Sequence, residues 1–197
     1  MKYWYNLKSL VLVAAILFSL PVDAPARGSV ASEESKSWSA QGDKSMEFKI
    51  PKPLQAEHAE LHEELAKAIA AGGKVSEAAK TVAALLHTHF EKEEEYALPP
   101  LGLLSELAQG RVRPEMKSAI VMADKLKANL PHMLQEHKDI VVALNKLIAV
   151  AKQEKKLEHA RFAEKLILHA QNEEEVLYPA AILVGEYLKV RLGKLKR

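Results

Sequence analysis

Two histidine–glutamate pairs stand four residues apart in this chain, His89 with Glu93 and His169 with Glu173. Two further histidines, His58 and His137, each directly follow a glutamate, Glu57 and Glu136. Residues four apart share one helix face, about 5.4 Å along the axis. One imidazole and one carboxylate of the same helix can therefore reach a common point. Apolar residues recur around these positions at spacings of three and four, which marks the core-facing side of a helix. The stripes read Leu54, His58, Leu61, Leu65, Ile69; then Val82, Leu85 or Leu86, His89, Glu93; then Leu130, Leu134, His137, Val141, Leu144, Ile148; then Phe162, Leu166, His169, Glu173, Leu177. Four imidazoles and two carboxylates thus point at one axis. An ionised carboxylate buried without a partner costs several kcal/mol or takes up a proton. Two glutamates at one level repel each other unless something cationic lies between them. A pair of metal ions resolves the conflict, with neutral imidazoles donating nitrogen and both carboxylates bridging. Imidazole and carboxylate donors do not choose the metal by themselves, and zinc or manganese fits them.

Each residue also has a plainer reading. A lone core histidine is more often hydrogen-bonded than metal-bound, and an exposed His–Glu pair at this spacing is a weak electrostatic contact. Those readings do not account for six such residues on four apolar stripes. Of the remaining histidines, His87 points away from the face of His89, and His132 and His159 fall off the stripes and are expected at the surface. His62 lies one turn after His58 and stays open as an additional ligand. The second and third members of Glu93-Glu94-Glu95 and Glu173-Glu174-Glu175 read as solvated.

Four long helices must position these residues. The first is expected over Leu54 to Ala71, ending at Gly72-Gly73, a common helix stop. Ser76 reads as the cap of a second helix that runs to Leu98 and ends at Pro99-Pro100. A short helical piece, Leu101 to Gln109, precedes a third helix from Pro114 to Lys152, which Pro131 should kink or split. The fourth starts near Lys155 and continues past Pro179 to about Leu192. The halves resemble each other. Residues 54–70 over 133–149 match at six of seventeen positions, and residues 89–99 over 169–179 match at five of eleven. The fold expected is all-α, an antiparallel up-down four-helix bundle with a pseudo-two-fold repeat of helix pairs.

Composition is consistent with that reading. The 197 residues are 48% apolar and 27% charged, as in ordinary globular chains. The net charge of +2 offers no electrostatic footprint for nucleic acid. The absence of cysteine excludes disulfides, Fe–S clusters, thiolate zinc sites and cysteine nucleophiles. Lys2 and Lys8 precede the apolar run Leu10 to Leu20, too short to span a bilayer. With Ala24-Pro25-Ala26 this describes a secretory signal over 1–26, cleaved after Ala26, with Val22-Asp23-Ala24 as a weaker cleavage site and an uncleaved N-terminal anchor as the alternative. Residues 27–52, with six serines, read as a leader without a core of its own, and 53–197 as the bundle. Export to the periplasm follows, with no integral membrane domain after signal removal. The basic residues Lys189, Arg191, Lys194, Lys196 and Arg197 fit a solvated helix end.

At Glu57-His58, His89-x-x-x-Glu93, Glu136-His137 and His169-x-x-x-Glu173 the chain resembles the hemerythrin-like, or HHE cation-binding, family, over about Leu54 to Leu192. The paired endings His89 to Pro99 and His169 to Pro179 are the most specific part. The resemblance implies two non-haem iron ions bridged by an oxo or hydroxo group and by two carboxylates. It departs from the oxygen carriers, which have a second histidine one turn away on the third helix, where this chain has Met133 and Val141. They also use an aspartate five residues after the last histidine, where this chain has Glu174. The ligand set is therefore His58, His89, Glu93, His137, His169 and Glu173. That set is closer to hemerythrin-like iron sensors and to di-iron proteins of nitrosative stress and cluster repair, the latter carrying a cysteine-containing N-terminal region, whereas this chain has no cysteine. A ferritin-like centre would need glutamate three residues before a histidine, and none of the eight histidines has one.

The expected function is binding of a small diatomic ligand, O2 or NO, at the metal pair, for sensing, storage or protection. An iron-handling or peroxide- and NO-removing enzyme of the envelope is the rival, as is a zinc-holding structural bundle. Leu61, Leu85, Val141, Leu144 and Leu166 are the expected apolar walls. The sequence names no protein partner.

Overall fold

The computed structural model describes residues 48–194. The expected signal over 1–26, the leader as far as residue 47 and the last three residues lie outside the described residues. The described chain is helical and contains no strand. Its elements are α1 (Lys52–Ala70), α2 (Gly73–Lys92), α3 (Leu104–Ala108), α4 (Lys117–Gln153), α5 (Leu157–Asn172) and α6 (Tyr178–Lys194). A π turn, Glu93–Ala97, extends α2, and a second, Glu173–Leu177, joins α5 to α6. The long helical segments are thus four: α1, α2 with its π turn, α4, and α5 through α6. No described helix is long and apolar enough to cross a membrane.

The helix ends follow from local chemistry. Gly72 and Gly73 take positive φ, 71° and 62°, where a side chain would be strained. They let the chain turn from α1 directly into α2. Ser76 is therefore not the cap expected of it. It lies inside α2, and its hydroxyl donates to the carbonyl of Ile69 at 2.6 Å, tying down the last turn of α1. Pro131 neither splits nor ends α4, which runs unbroken through it. The carbonyl it leaves without a donor belongs to Lys127, on the solvent side, where water can take the bond. The two π turns each precede a proline. The amide of Leu98 donates to the Glu93 carbonyl, and that of Tyr178 to the Glu173 carbonyl. The wider turn makes room for the rings of Pro99 and Pro179 against carbonyls that a regular helix would crowd.

Two apolar clusters lie on either side of the polar residues. One gathers Leu61, Leu86, Phe90, Ile140 and Leu166. The other gathers Tyr96, Leu98, Met133, Tyr178 and Ala181. Along α1 the order is Leu54 of the second cluster, His58, then Leu61 of the first. Along α2 it is reversed, with Leu86, His89, then Tyr96. A third cluster closes the end and takes in Phe48 of the expected leader, packed with Leu103, Leu107, Met116 and Leu188. There α6 meets α4 closely at Gly185, where a Cβ would stand 2.4 Å from that of Ala123. Gly185→Val must push the two helices apart. The expected cost is about 1–3 kcal/mol in denaturant unfolding. A valine at Gly193, where nothing lies within 4 Å, should cost much less.

Candidate metal centre

All six sequence-predicted residues converge between the apolar clusters. His58, His89, Glu93, His137, His169 and Glu173 are each at most 5% exposed. Their donor atoms form two groups that share a carboxylate: His89, Glu93, His137 and Glu173 in one, His58, His169 and Glu173 in the other. Nε2 of His169 lies 3.0 Å from Glu173 Oε1, and Nε2 of His58 lies 3.6 Å from the same oxygen. Nε2 of His137 lies 3.5 Å from Glu173 Oε2. Glu93 faces His89 at 3.3 Å and His58 at 3.9 Å. Its two oxygens therefore also look toward both groups.

The outward nitrogens explain the orientation of the rings. Nδ1 of His89 meets Glu136 at 3.1 Å, and Nδ1 of His137 meets Glu174 at 2.9 Å. Glu57 stands 3.2 Å from Nδ1 of His169, outside hydrogen-bond alignment. A carboxylate at Nδ1 holds the proton there and leaves Nε2 with a lone pair aimed inward. Nε2 of His89 and Nε2 of His137 are nevertheless only 2.7 Å apart. Two lone pairs at that separation need a proton or a cation between them. Nε2 of His58, Nε2 of His169, Glu93 Oε2 and Glu173 Oε1 are buried without any hydrogen bond. Buried polar atoms are seldom left so. The donor set, its convergence and its unmet bonds together fit metal ions.

Electrostatics alone divide the protons unevenly. Burial raises the carboxyl of Glu93, and the charge of Glu173 raises it further. Burial acts on Glu173 too, but the imidazoles of His137, His169 and His58 around it prevail and hold it well below the usual range. Burial opposes a charge on His169, yet Glu173 beside it, with the charges of Glu93 and Glu57, lifts it to about 9. His89 is likewise raised, mainly by Glu93 against its own burial. Without metal the cluster is a proton trap.

Periodicity missed four functional residues. Glu57, Glu136 and Glu174 orient histidines of other helices, and Glu174, expected at the surface, backs His137. The repeated Glu-His pairs were the visible signal for the first two. Tyr178 is the fourth. Its hydroxyl donates to Glu93 Oε1 at 2.5 Å and lies 3.4 Å from Nε2 of both His89 and His137. In the repeat its counterpart is Leu98, so only one half carries a hydroxyl there.

Other expectations are corrected. His159 is buried, not exposed. Leu85 is 37% exposed and Val141 only partly buried. Leu166 walls the space between the histidines as expected, together with Leu86, Phe90, Ile140 and Ala170. On α4 Leu144 is buried as expected, but Met133, Ile140 and Leu147 are buried where the stripe had Leu134, Val141 and Ile148, which are less so. His62 is exposed, its ring edge against Phe90, and belongs to neither donor group. His87 and His132 are exposed as expected.

The family model for the hemerythrin HHE cation-binding domain matches residues 50–181, which contain all six donors. No curated protein matches the chain, and no solved structure does.

Proposed function

We propose that this chain, which belongs to the hemerythrin HHE cation-binding family, holds two iron ions between its four helices and binds a diatomic ligand, O2 or NO, there. The single observation that carries the reading is the convergence of four Nε2 atoms on two shared carboxylates, four of whose buried atoms have no bond. Ligands His89, His137, Glu93 and Glu173 would hold one ion, and His58, His169 and Glu173, with the second oxygen of Glu93, the other. A pair so held would supply open coordination positions and electrons for the diatomic ligand. The protein's own part is to keep the site dry, to fix the imidazoles through Glu57, Glu136 and Glu174, and to keep a hydroxyl proton of Tyr178 on Glu93. Burial, with Glu93 and Glu173 close by, keeps that phenol protonated far above neutral pH.

The alternating order of the apolar clusters along successive helices supports an antiparallel bundle. Helices α1–α2 and α4–α5 are then quasi-equivalent. Glu57 on His169 and Glu136 on His89 are the related contacts across the halves. The N-terminal signal pattern supports export of this bundle to the periplasm. A mature N-terminus at Arg27 in intact-mass spectra tests that step.

The deciding experiment is metal analysis of protein purified without added metal or chelator, followed by O2 and NO titration of the reduced form. Near two irons per chain, and new visible absorption with either gas, is the expected result. Stoichiometric zinc, or no metal, would overturn it. The orienting carboxylates give a graded check. Glu136→Gln removes the charge behind His89, and its metal affinity should fall about 10- to 100-fold, measured by competition with a chelator.

A further inference from the structure

The two halves of the centre differ in how they meet solvent. On the side of His89, Glu93 and His137 the Tyr178 hydroxyl covers the donors. The space enclosed between the histidines is about 10 Å3, barely room for one water. On the other side a cleft of about 1230 Å3 opens between residues 48–52, α1 and the Leu101–Ser105 segment. Of the six donors, His58 alone lines that cleft.

His58 is also held differently. The imidazoles of His89 and His137 are each hydrogen-bonded at Nδ1 to a carboxylate, Glu136 and Glu174, and Glu57 stands 3.2 Å from Nδ1 of His169 without that alignment. Among the described residues no such partner meets Nδ1 of His58. Its ring is kept in place by stacking on Phe90, centroids 4.8 Å apart, and by the edge of His169. Stacking lets a ring turn where a charge-assisted bond would pin it.

We propose that this cleft is the port through which a divalent cation reaches and leaves the centre, with His58 as the ligand that turns aside to let it pass. The inference rests on the metal-binding reading above. An apolar diatomic gas needs no polar route through a protein, but a hydrated cation does. It must exchange waters for donors stepwise, since dehydration in one step costs far more. The cleft supplies such donors: the imidazole of His62, one turn beyond His58, and the carboxylate of Glu94. Lys49 and Lys52 also line it, from the 48–52 segment. Glu94 is the one carboxylate lining the cleft, and His62, which belongs to neither donor group, gains a role as a way station.

A plug in a port raises one barrier shared by both directions and leaves the end states alone. Ala59 and Gln55 line the cleft, are exposed and donate to no ion. Ala59→Trp and Gln55→Trp are to be made in the full chain, stripped of metal, and mixed with Co2+ while its visible absorption is followed by stopped flow. Release is read by chelator challenge. Both rates should fall by the same factor, about tenfold or more, with Kd unchanged. Unchanged rates in a variant that folds would overturn the port, and so would a Kd raised through faster release alone. Circular dichroism identifies a variant that fails to fold, and the other tryptophan then carries the test. Wild-type protein that takes up no Co2+ would overturn the metal-binding reading together with the port. Normal uptake with unaffected variants would overturn only the port.

Discussion

Glu173→Gln should leave the helices in place and abolish binding of both metal ions. Glu173 is the residue common to the two donor groups, and three imidazoles face its oxygens at 3.0, 3.5 and 3.6 Å. Glutamine keeps the shape but offers one neutral oxygen where two shared a charge. Losing an orienting partner costs 10- to 100-fold in metal affinity, so losing the shared ligand should cost more than about 100-fold. Metal content measured after dialysis should fall to near zero, with the helical circular dichroism retained. Glu175→Gln is the matched control, since Glu175 lies in the same π turn but is exposed, and it should bind as wild type. A Glu173→Gln protein that retains both ions would remove Glu173 from the centre.

The donors were legible in the sequence because an α-helix converts spacing into direction. Four stripes of apolar residues fix the inward face wherever one apolar residue stands alone in its turn. Where two stand together the phase is ambiguous. Met133-Leu134, Ile140-Val141 and Leu147-Ile148 satisfy either phase, and the structure takes the first member of each pair. His137 faces inward in both, so the site survived the slip. Leu85-Leu86 is the same ambiguity, settled in favour of Leu86.

What spacing could not supply are contacts between helices. Glu174 reads as a surface residue on its own helix, yet it meets an imidazole of α4. Tyr178 follows the second π turn, and such a turn shifts the inward face by a residue in a way no regular period anticipates. His159 reads as exposed by phase but is buried in the first turn of α5. Phe48 fell in a stretch too polar to fold alone, and a core built by other residues buries it.

The proton trap gives the centre a stability profile that metal should invert. In metal-free protein His169 titrates at about 9, against about 6.5 in an unfolded chain. A raised imidazole contributes stability that is fully present below pH 6.5 and is lost as pH rises through 9. His89 is shifted the same way. Glu93, raised by burial and by Glu173, also binds its proton more tightly when folded, so it too destabilises as it ionises. Glu173 acts oppositely. Held well below its ordinary value, it contributes stability above pH 4.5 that is lost in acid. For His169 alone the loss between pH 6.5 and 9 amounts to roughly 3 kcal/mol. Metal needs these imidazoles and carboxylates without protons, so its affinity rises over the same window. Ligation of the folded state alone adds about 4 kcal/mol when free metal is a thousandfold above Kd. Thermal unfolding of metal-free protein should therefore show Tm falling from pH 6.5 to 9. The rise in Tm on adding chelator-buffered metal should be larger at pH 9 than at 6.5. A metal-free Tm that stays level or climbs across that window would mean that the imidazoles are already neutral in the folded chain, and that the buried carboxylates are held by something other than their protons.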